Sequence, residues 1–120
     1  MRLRAAGALA AALAVGLGAF GAHGLKERLA ALPAAAGWWE TATLYLLVHA
    51  AAVAVLPASS SRLGRACLLL GALVFAGTLY AMALGAPRWL GAVTPLGGTA
   101  LIVGWLCLGL AAAKDKSANP

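Results

Sequence analysis

Long apolar stretches dominate the chain, and short polar segments separate them. Four windows contain no charged residue, and each is at least 21 residues long. An α-helix rises about 1.5 Å per residue, so about 20 residues cross a hydrocarbon core about 30 Å thick. Because the lipid interior has no water to bind backbone amides, each segment must satisfy them internally, as a helix does. The pattern predicts four transmembrane helices, over residues 4–24, 38–57, 65–86 and 93–113.

Turn-forming residues mark the ends of these spans. Pro57 and the serines at 59–61 separate the second span from the third, and Thr94 with Pro95 suits the start of the fourth. Between the first two spans, the stretch 26–32 combines three charged residues with apolar ones. We therefore expect an all-α, integral-membrane four-helix bundle with a short interfacial amphipathic helix between helices 1 and 2.

The composition agrees with a membrane protein and excludes several other classes. Hydrophobic residues make up 63% of the chain and charged residues 10%, whereas soluble domains carry about 25% charged residues. This difference excludes a soluble enzyme, a secreted module and a disordered chain. The net charge is +6, but the basic residues occur in ones and twos rather than on one face. The sequence therefore predicts no nucleic-acid partner.

The positions of the basic residues also predict an orientation, because cytoplasmic loops of membrane proteins carry an excess of Lys and Arg. With the N-terminus inside, the inner segments hold six basic residues and the outer segments three. The inner six are Arg2, Arg4, Arg62, Arg65, Lys114 and Lys116, and the outer three are Lys26, Arg28 and Arg88. The count predicts that both termini are cytoplasmic. It also places Trp38, Trp39 and Trp89 at the outer interface, where aromatic residues are enriched.

The first residues also fit a different interpretation. Arg2 and Arg4 precede an Ala-rich apolar run, as in a signal peptide, although Ala19–Gly21 would make a poor cleavage site. The residues alone leave a cleaved leader open as an alternative to a first transmembrane helix.

Four blocks of sequence carry a specific resemblance. They are Gly18–Leu25 (GAFGAHGL), Tyr45 with His49, Phe75–Tyr80 (FAGTLY), and Thr94–Gly98 (TPLGG) followed by Gly104 and Trp105. In this order they resemble the domain of unknown function 423 (DUF423) family, the bacterial YgdD-type relatives of the transmembrane protein 256 family. The resemblance covers roughly residues 16–105.

The resemblance implies a four-helix protein of the bacterial plasma (inner) membrane without an established activity. It argues against a cleaved leader, because cleavage would remove or split the first block. One position departs from the family, which commonly has Tyr-Gln before its helix-2 histidine where this chain has Tyr45-Leu46. No role that rests on that amide is carried over, and the family supplies no catalytic or ligand-binding residue.

Polar side chains inside membrane spans are costly and therefore mark candidate sites. In the antiparallel arrangement they fall in the outer half of the membrane or near its midplane, and the inner halves are almost entirely apolar. The six candidates for one polar cluster are His23, Tyr45, His49, Tyr80, Thr94 and Thr99. They would either line a pocket open to the outer side or hydrogen-bond to one another as a structural network. We expect a network with at most a shallow outer cavity, and no polar route to the cytoplasm.

The two histidines raise the possibility of a haem or metal site. They would stand level if helices 1 and 2 formed a continuous hairpin centred on Ala36, which is the arrangement that bis-His haem ligation needs. Breaks at Gly21, Gly24 and Pro33 oppose that hairpin. No third ligand lies within reach, and no intramembrane nucleophile has a base beside it. The sequence therefore predicts no metal, no cofactor and no enzymatic activity.

Small residues predict close packing of helices, because van der Waals contact drives helix association in lipid. The glycines assigned to this role are Gly18, Gly21, Gly24, Gly77, Gly97 and Gly98. With the lipid bilayer as its surroundings, the chain is expected to be a non-enzymatic protein that packs against other membrane proteins or a second copy. The alternative is a small oligomeric transporter or channel component. Proton-coupled transport commonly uses a membrane-embedded acid, and the first span has none.

Overall fold

The computed structural model describes the backbone of residues 2–118 and the side chains of residues 2–115. Within this range the chain is helical, and four helices are long and apolar enough to cross a membrane. The prediction of four helices able to span a membrane, with a short helix between the first two, is confirmed. The elements are α1 (Arg2–Ala22), α2 (Lys26–Ala30), α3 (Ala35–Val55), α4 (Arg62–Ala83), a short 3₁₀ helix (Arg88–Ala92) and α5 (Thr94–Ala118).

The helix ends differ from the expected ones by two or three residues at several places, for local reasons. The spans were placed by the limits of apolar sequence, whereas helices end where backbone groups find other partners. α4 begins at Arg62 because the Ser61 side chain caps it by accepting a hydrogen bond from the Gly64 amide at 3.0 Å. Thr94 does not act as a simple cap, since its hydroxyl donates to the carbonyl of Leu90 at 3.2 Å.

Each long helix packs against its neighbours in the chain, so α1 contacts α3, α3 contacts α4, and α4 contacts α5. α1 and α5 do not pack against each other within residues 2–118, so the bundle is open on that side. The two middle helices therefore hold most of the core. Its largest fully buried side chains are Leu46, Val53 and Leu68. A smaller core lies at the end near α2, where Leu29 packs with Trp39 and Ala83.

Glycines bring α4 and α5 into close contact at two levels. Gly64 lies against Gly104, and Gly71 lies against Gly97. Because the members of each helix are seven residues apart, both lie on one helix face. A Cβ atom at Gly104 would lie 2.9 Å from the carbonyl oxygen of Gly64, closer than real Cβ contacts. Of these four glycines, the sequence assigned only Gly97 to helix packing.

The other glycines assigned to packing behave differently from one another. Gly18 faces Thr43 of α3, and Gly21 faces the ring of Trp39. The nearest atoms to Gly24 belong to Phe20, just before it in the chain. Gly98 stands at an ordinary contact distance of 3.8 Å from the Phe75 ring. Gly77 is exposed and would offer a Cβ no neighbour within 4 Å, so it takes no part in packing between the described helices.

Three arginines bind backbone carbonyl groups, two of them at helix C-termini and one in a loop. Arg4 donates to Ala54 at 3.2 Å, near the end of α3, and Arg28 of α2 donates to Leu84 at 2.9 Å, just beyond α4. Arg65, only 3% exposed, donates to the carbonyls of Ala58 and Ser60 in the loop between α3 and α4. Since helix C-termini present unpaired carbonyls and partial negative charge, Arg4 and Arg28 stabilise the ends of α3 and α4, whereas Arg65 holds the loop.

Trp39 is buried inside the protein rather than facing the outer headgroups. It is 4% exposed, and its indole nitrogen donates to the carbonyl of Leu17 in α1 at 2.7 Å. Trp89 is exposed, as expected for an interfacial residue. A buried indole requires an acceptor, and α1 supplies one to Trp39 because Gly21 leaves room for the ring.

Candidate functional site

The six candidate polar residues do not form a single cluster. Tyr80 and Thr94 each join a hydroxyl pair between helices, whereas Tyr45, His49 and Thr99 line one groove. His23 lies apart, exposed in the turn that follows α1. The structure thus divides the candidates between two structural contacts, one groove and one isolated residue.

The first contact joins α3 to α4. The hydroxyls of Thr43 and Tyr80 lie 2.7 Å apart, and the edge of the Tyr80 ring meets Trp39 with ring centroids 4.5 Å apart. The indole nitrogen of Trp39 in turn donates to the Leu17 carbonyl of α1. Three long helices are therefore tied together at one level by polar groups that satisfy one another.

The second contact joins α4 to the start of α5. The hydroxyls of Thr78 and Thr94 lie 2.6 Å apart. Each hydroxyl has one proton, so with Thr94 donating to Leu90 the Thr78 proton completes this pair, and the Val74 and Phe75 carbonyls are its alternative acceptors. Thr43 and Thr78 also lie in the spans, but they are not among the six candidates. Their partners lie on other helices, so the sequence gave no signal of which threonines would pair.

The groove lies between α3 and α5, with α4 beside it, and encloses about 430 Å³. Aromatic side chains dominate its lining. The rings of Tyr45 and Phe75 stack with centroids 4.4 Å apart, and the rings of His49 and Trp105 meet at 5.8 Å with an angle of 57° between their planes. Trp105 is 45% exposed. Because its rim lies on the side of the bundle, the groove is open at the depth of the hydrocarbon.

His49 is the most buried of the polar groups in the groove, at 8% exposure. Its Nδ1 atom lies 2.6 Å from the backbone carbonyl of Tyr45, one helical turn earlier. A carbonyl oxygen only accepts, so Nδ1 must carry the proton in this hydrogen bond. Across the groove, the Thr99 hydroxyl donates to the Pro95 carbonyl at 2.8 Å. In both hydrogen bonds the acceptor is a backbone carbonyl, so Nδ1 of His49 and the hydroxyl of Thr99 must be the donors.

A second cavity, of about 510 Å³, lies between α1, α2 and α3. Its walls are mostly apolar, and Gly18 and Gly21 contribute the space near α1. Lys26 and Glu40 also line it, and both are exposed. The described residues therefore combine closed hydroxyl pairs with cavities.

The register between α1 and α3 separates the two histidines. Gly7 lies against Ala54 and Gly18 lies against Thr43, so the residue of α1 level with His49 is near position 12. His23 is about 11 residues further along, or about 17 Å at 1.5 Å per residue. His23 and His49 therefore do not stand at the same depth in the bundle, as ligation of one haem by both would require. Within the part of the chain that the structure describes, no three His, Cys, Asp or Glu side chains are grouped to hold a metal ion.

Comparison with known proteins places this architecture among bacterial membrane proteins. Residues 17–98 match the family described as protein of unknown function (DUF423). The chain is 43% identical to a UPF0382 membrane protein of Staphylococcus epidermidis over 114 residues, which cover 90% of this chain and 92% of the relative. It is 38% identical to a UPF0382 membrane protein of Haemophilus influenzae, with 92% of each chain covered. The UPF0382 membrane protein YwdK of Bacillus subtilis is 39% identical, with coverage of 90% and 93%. No solved structure matches the chain.

Proposed function

This chain belongs to the DUF423 family of proteins of unknown function, and on that premise we propose that it is a non-enzymatic packing protein of the bacterial plasma (inner) membrane. It is a multi-pass membrane protein, with four helices long enough to span the bilayer. In the proposed function, it associates through α1 with a transmembrane helix of a second copy or of another membrane protein.

The outward face of α1 carries the proposal. Its exposed residues include a continuous series of small side chains spaced three or four positions apart, which places them on one helix face. These residues are Ala5, Ala8, Ala12, Gly16 and Ala19. Large side chains such as Leu9 and Leu13 flank this series on α1, whereas the exposed face of α5 presents Ile102, Leu106 and Leu110 four positions apart.

In lipid, small and large residues on an exposed helix face affect helix association differently. Acyl chains pack readily around large side chains, whereas small residues allow another helix backbone to come close enough for extensive van der Waals contact. A Cβ built at Gly16 would meet nothing within 4 Å, so the described chain leaves the middle of this face uncovered. Two copies inserted in one orientation would bring their α1 helices together in parallel about a twofold axis.

The proposed orientation has both termini in the cytoplasm and α2 on the outer side. Its support is the excess of Lys and Arg in the inner segments. Arg4 and Arg65 bind carbonyl groups of the protein, yet they remain at the end of the bundle to which the count assigns them.

Cysteine crosslinking in membranes tests the association. In a chain whose Cys67 and Cys107 are replaced by Ala, Ala12→Cys should form a disulfide-linked dimer or a crosslink to a partner that mass spectrometry identifies. Leu106→Cys, on the large-residue face of α5, is the matched control and should remain monomeric. Adding Gly16→Ile should abolish the Ala12→Cys crosslink. A chain that stays monomeric and uncrosslinked through Ala12→Cys would refute the proposal.

A further inference from the structure

We propose that the groove between α3 and α5 binds a planar, lipid-soluble phenol or quinol, whose hydroxyl donates a hydrogen bond to Nε2 of His49. The proposal concerns a different surface from the association through α1 and does not depend on it. It follows from the shape of the groove, the chemistry of its walls and the direction of the hydrogen bonds already present.

The walls suit an aromatic ring. Tyr45 stacks on Phe75 on one side, and Trp105 lies beside His49 on the other. Aromatic rings attract further rings in offset-stacked or edge-to-face arrangements. The volume of about 430 Å³ lies within the range of small-molecule sites. A ring with an apolar tail would fill it, with the tail running out toward the surrounding lipid.

The polar groups determine which substituent the ring must carry. In the neutral imidazole with Nδ1 donating to the Tyr45 carbonyl, Nε2 is a hydrogen-bond acceptor. This nitrogen has no hydrogen-bond partner among residues 2–115, although the ring is more than nine-tenths buried. Nε2 is not among the fully buried unpaired atoms of these residues, so it is open to the groove, where hydrocarbon offers it no donor and a ligand hydroxyl would.

Thr99 reinforces this selection. Its hydroxyl hydrogen is committed to the Pro95 carbonyl, so its oxygen can only accept a further hydrogen bond. The Tyr45 hydroxyl can donate or accept and therefore does not discriminate between ligands. Two acceptors favour a ring bearing hydroxyl groups over the same ring bearing only carbonyl or ether oxygens. The groove should thus prefer a quinol to the corresponding quinone.

The depth of the site indicates where the ligand comes from. Tyr45 is at the middle of α3, and His49 is about 9 Å from the end of that helix at Val55. The exposed rim at Trp105 and Ile102 belongs to the apolar side of the bundle. A ligand would therefore enter sideways from the hydrocarbon, which explains why lipid solubility is part of the inference.

A pair of probes that differ in one hydrogen-bond donor tests the proposal. The purified full-length protein in mild detergent is titrated with 4-dodecylphenol or with 4-dodecylanisole, its methyl ether, and bound probe is counted by native mass spectrometry. We expect one phenol per chain, bound about tenfold or more tightly than the ether, since one satisfied hydrogen bond to a buried group has about that effect. Equal binding of the two probes, or no binding of either, would overturn the proposal.

Substitutions locate the site. His49→Phe keeps an aromatic ring without the acceptor and should bind both probes with the affinity of the ether. His23→Phe, in the exposed turn after α1, is the matched control and should retain the preference for the phenol. Trp105→Ala should weaken both probes by removing one wall. If His49→Phe does not fold, the relative affinity of the unaltered protein for the phenol and the ether is sufficient to test the proposal. A tightly retained phospholipid that neither probe displaces would instead identify the groove as a slot for an acyl chain and refute the proposal.

Discussion

Gly71 and Gly97 face each other across α4 and α5 so closely that neither has room for a side chain. A methyl group at Gly71 would lie 2.8 Å from the carbonyl oxygen of Gly97, and one at Gly97 would lie 2.7 Å from that of Gly71. Gly64 and Gly104 repeat the relationship seven residues away on each helix. Since lipid provides no hydrophobic force between helices, this close backbone contact is a principal source of the α4–α5 association.

Replacing Gly97 by Ala should therefore destabilise the protein. The new methyl group would meet backbone atoms, including the Phe75 amide nitrogen at 2.5 Å, and backbone yields less readily than a flexible side chain. We expect Gly97→Ala to lower the free energy of unfolding by about 1–3 kcal/mol, the usual effect of overpacking. Thermal unfolding in detergent measures it. Gly77→Ala is the control, and it should be neutral or stabilising by up to about 1 kcal/mol, because Ala favours helix and the site is open.

The hydroxyl pair of Thr43 and Tyr80 should show a small, favourable coupling energy. A double-mutant cycle with Thr43→Val and Tyr80→Phe is expected to give about 0.6 kcal/mol, and at most about 1.7 kcal/mol, as for other hydrogen bonds between membrane helices. Thr99→Val combined with Tyr80→Phe provides the comparison. Thr99 donates within its own helix, so those two effects should add. Coupling in the second cycle equal to that in the first would contradict the assignment of the contact.

Arg65 should contribute more to stability than its exposed neighbour Arg62. Arg65 is buried and binds the carbonyls of Ala58 and Ser60, which holds the loop between α3 and α4 against the bundle. Arg65→Ala should cost about 1.5–3 kcal/mol, the range for hydrogen bonds from a charged group. Arg62→Ala should change the unfolding free energy by less than about 0.5 kcal/mol. Equal effects of the two substitutions in the same unfolding assay would show that burial of Arg65 contributes nothing.

The proposed orientation can be measured directly on intact cells. A reporter fused after Pro120 should give the cytoplasmic signal. In a chain without Cys67 and Cys107, a membrane-impermeant thiol reagent should label Lys26→Cys from outside and should reach Arg62→Cys only after the cells are opened. The reverse labelling pattern would show that the excess of Lys and Arg does not set the orientation of this protein.

Length and hydropathy were sufficient to predict the four spans, because the thickness of the bilayer imposes both. Contacts between helices were less predictable. Gly77 and Gly97 are both intramembrane glycines, yet only Gly97 faces a neighbour. Trp39 and Trp89 both lie near a span end, but only Trp39 turns into the core. Which face of a helix is covered depends on partners distant in sequence, and local composition does not encode it.

The polar candidates show the same limit. Their presence in or beside the spans followed from the sequence, but their grouping depends on helix register. The positions of Gly7 and Gly18 against α3 set that register and keep His23 and His49 far apart. A sequence pattern that could have indicated the close α4–α5 contact was present in the seven-residue spacing of Gly64 with Gly71 and of Gly97 with Gly104.

Packing in chain order has a consequence for how the protein is made. As each span leaves the ribosome and enters the bilayer, the long helix it will contact has already been inserted, so α3 can dock on α1 before α4 exists. No early helix has to wait for a late one, since α1 and α5 do not pack together within residues 2–118. Contacts between elements close in sequence also form fastest. Biogenesis can therefore proceed as a series of hairpin closures, with α5 completing the fold by packing mainly on α4 and bringing Trp105 against His49 of α3.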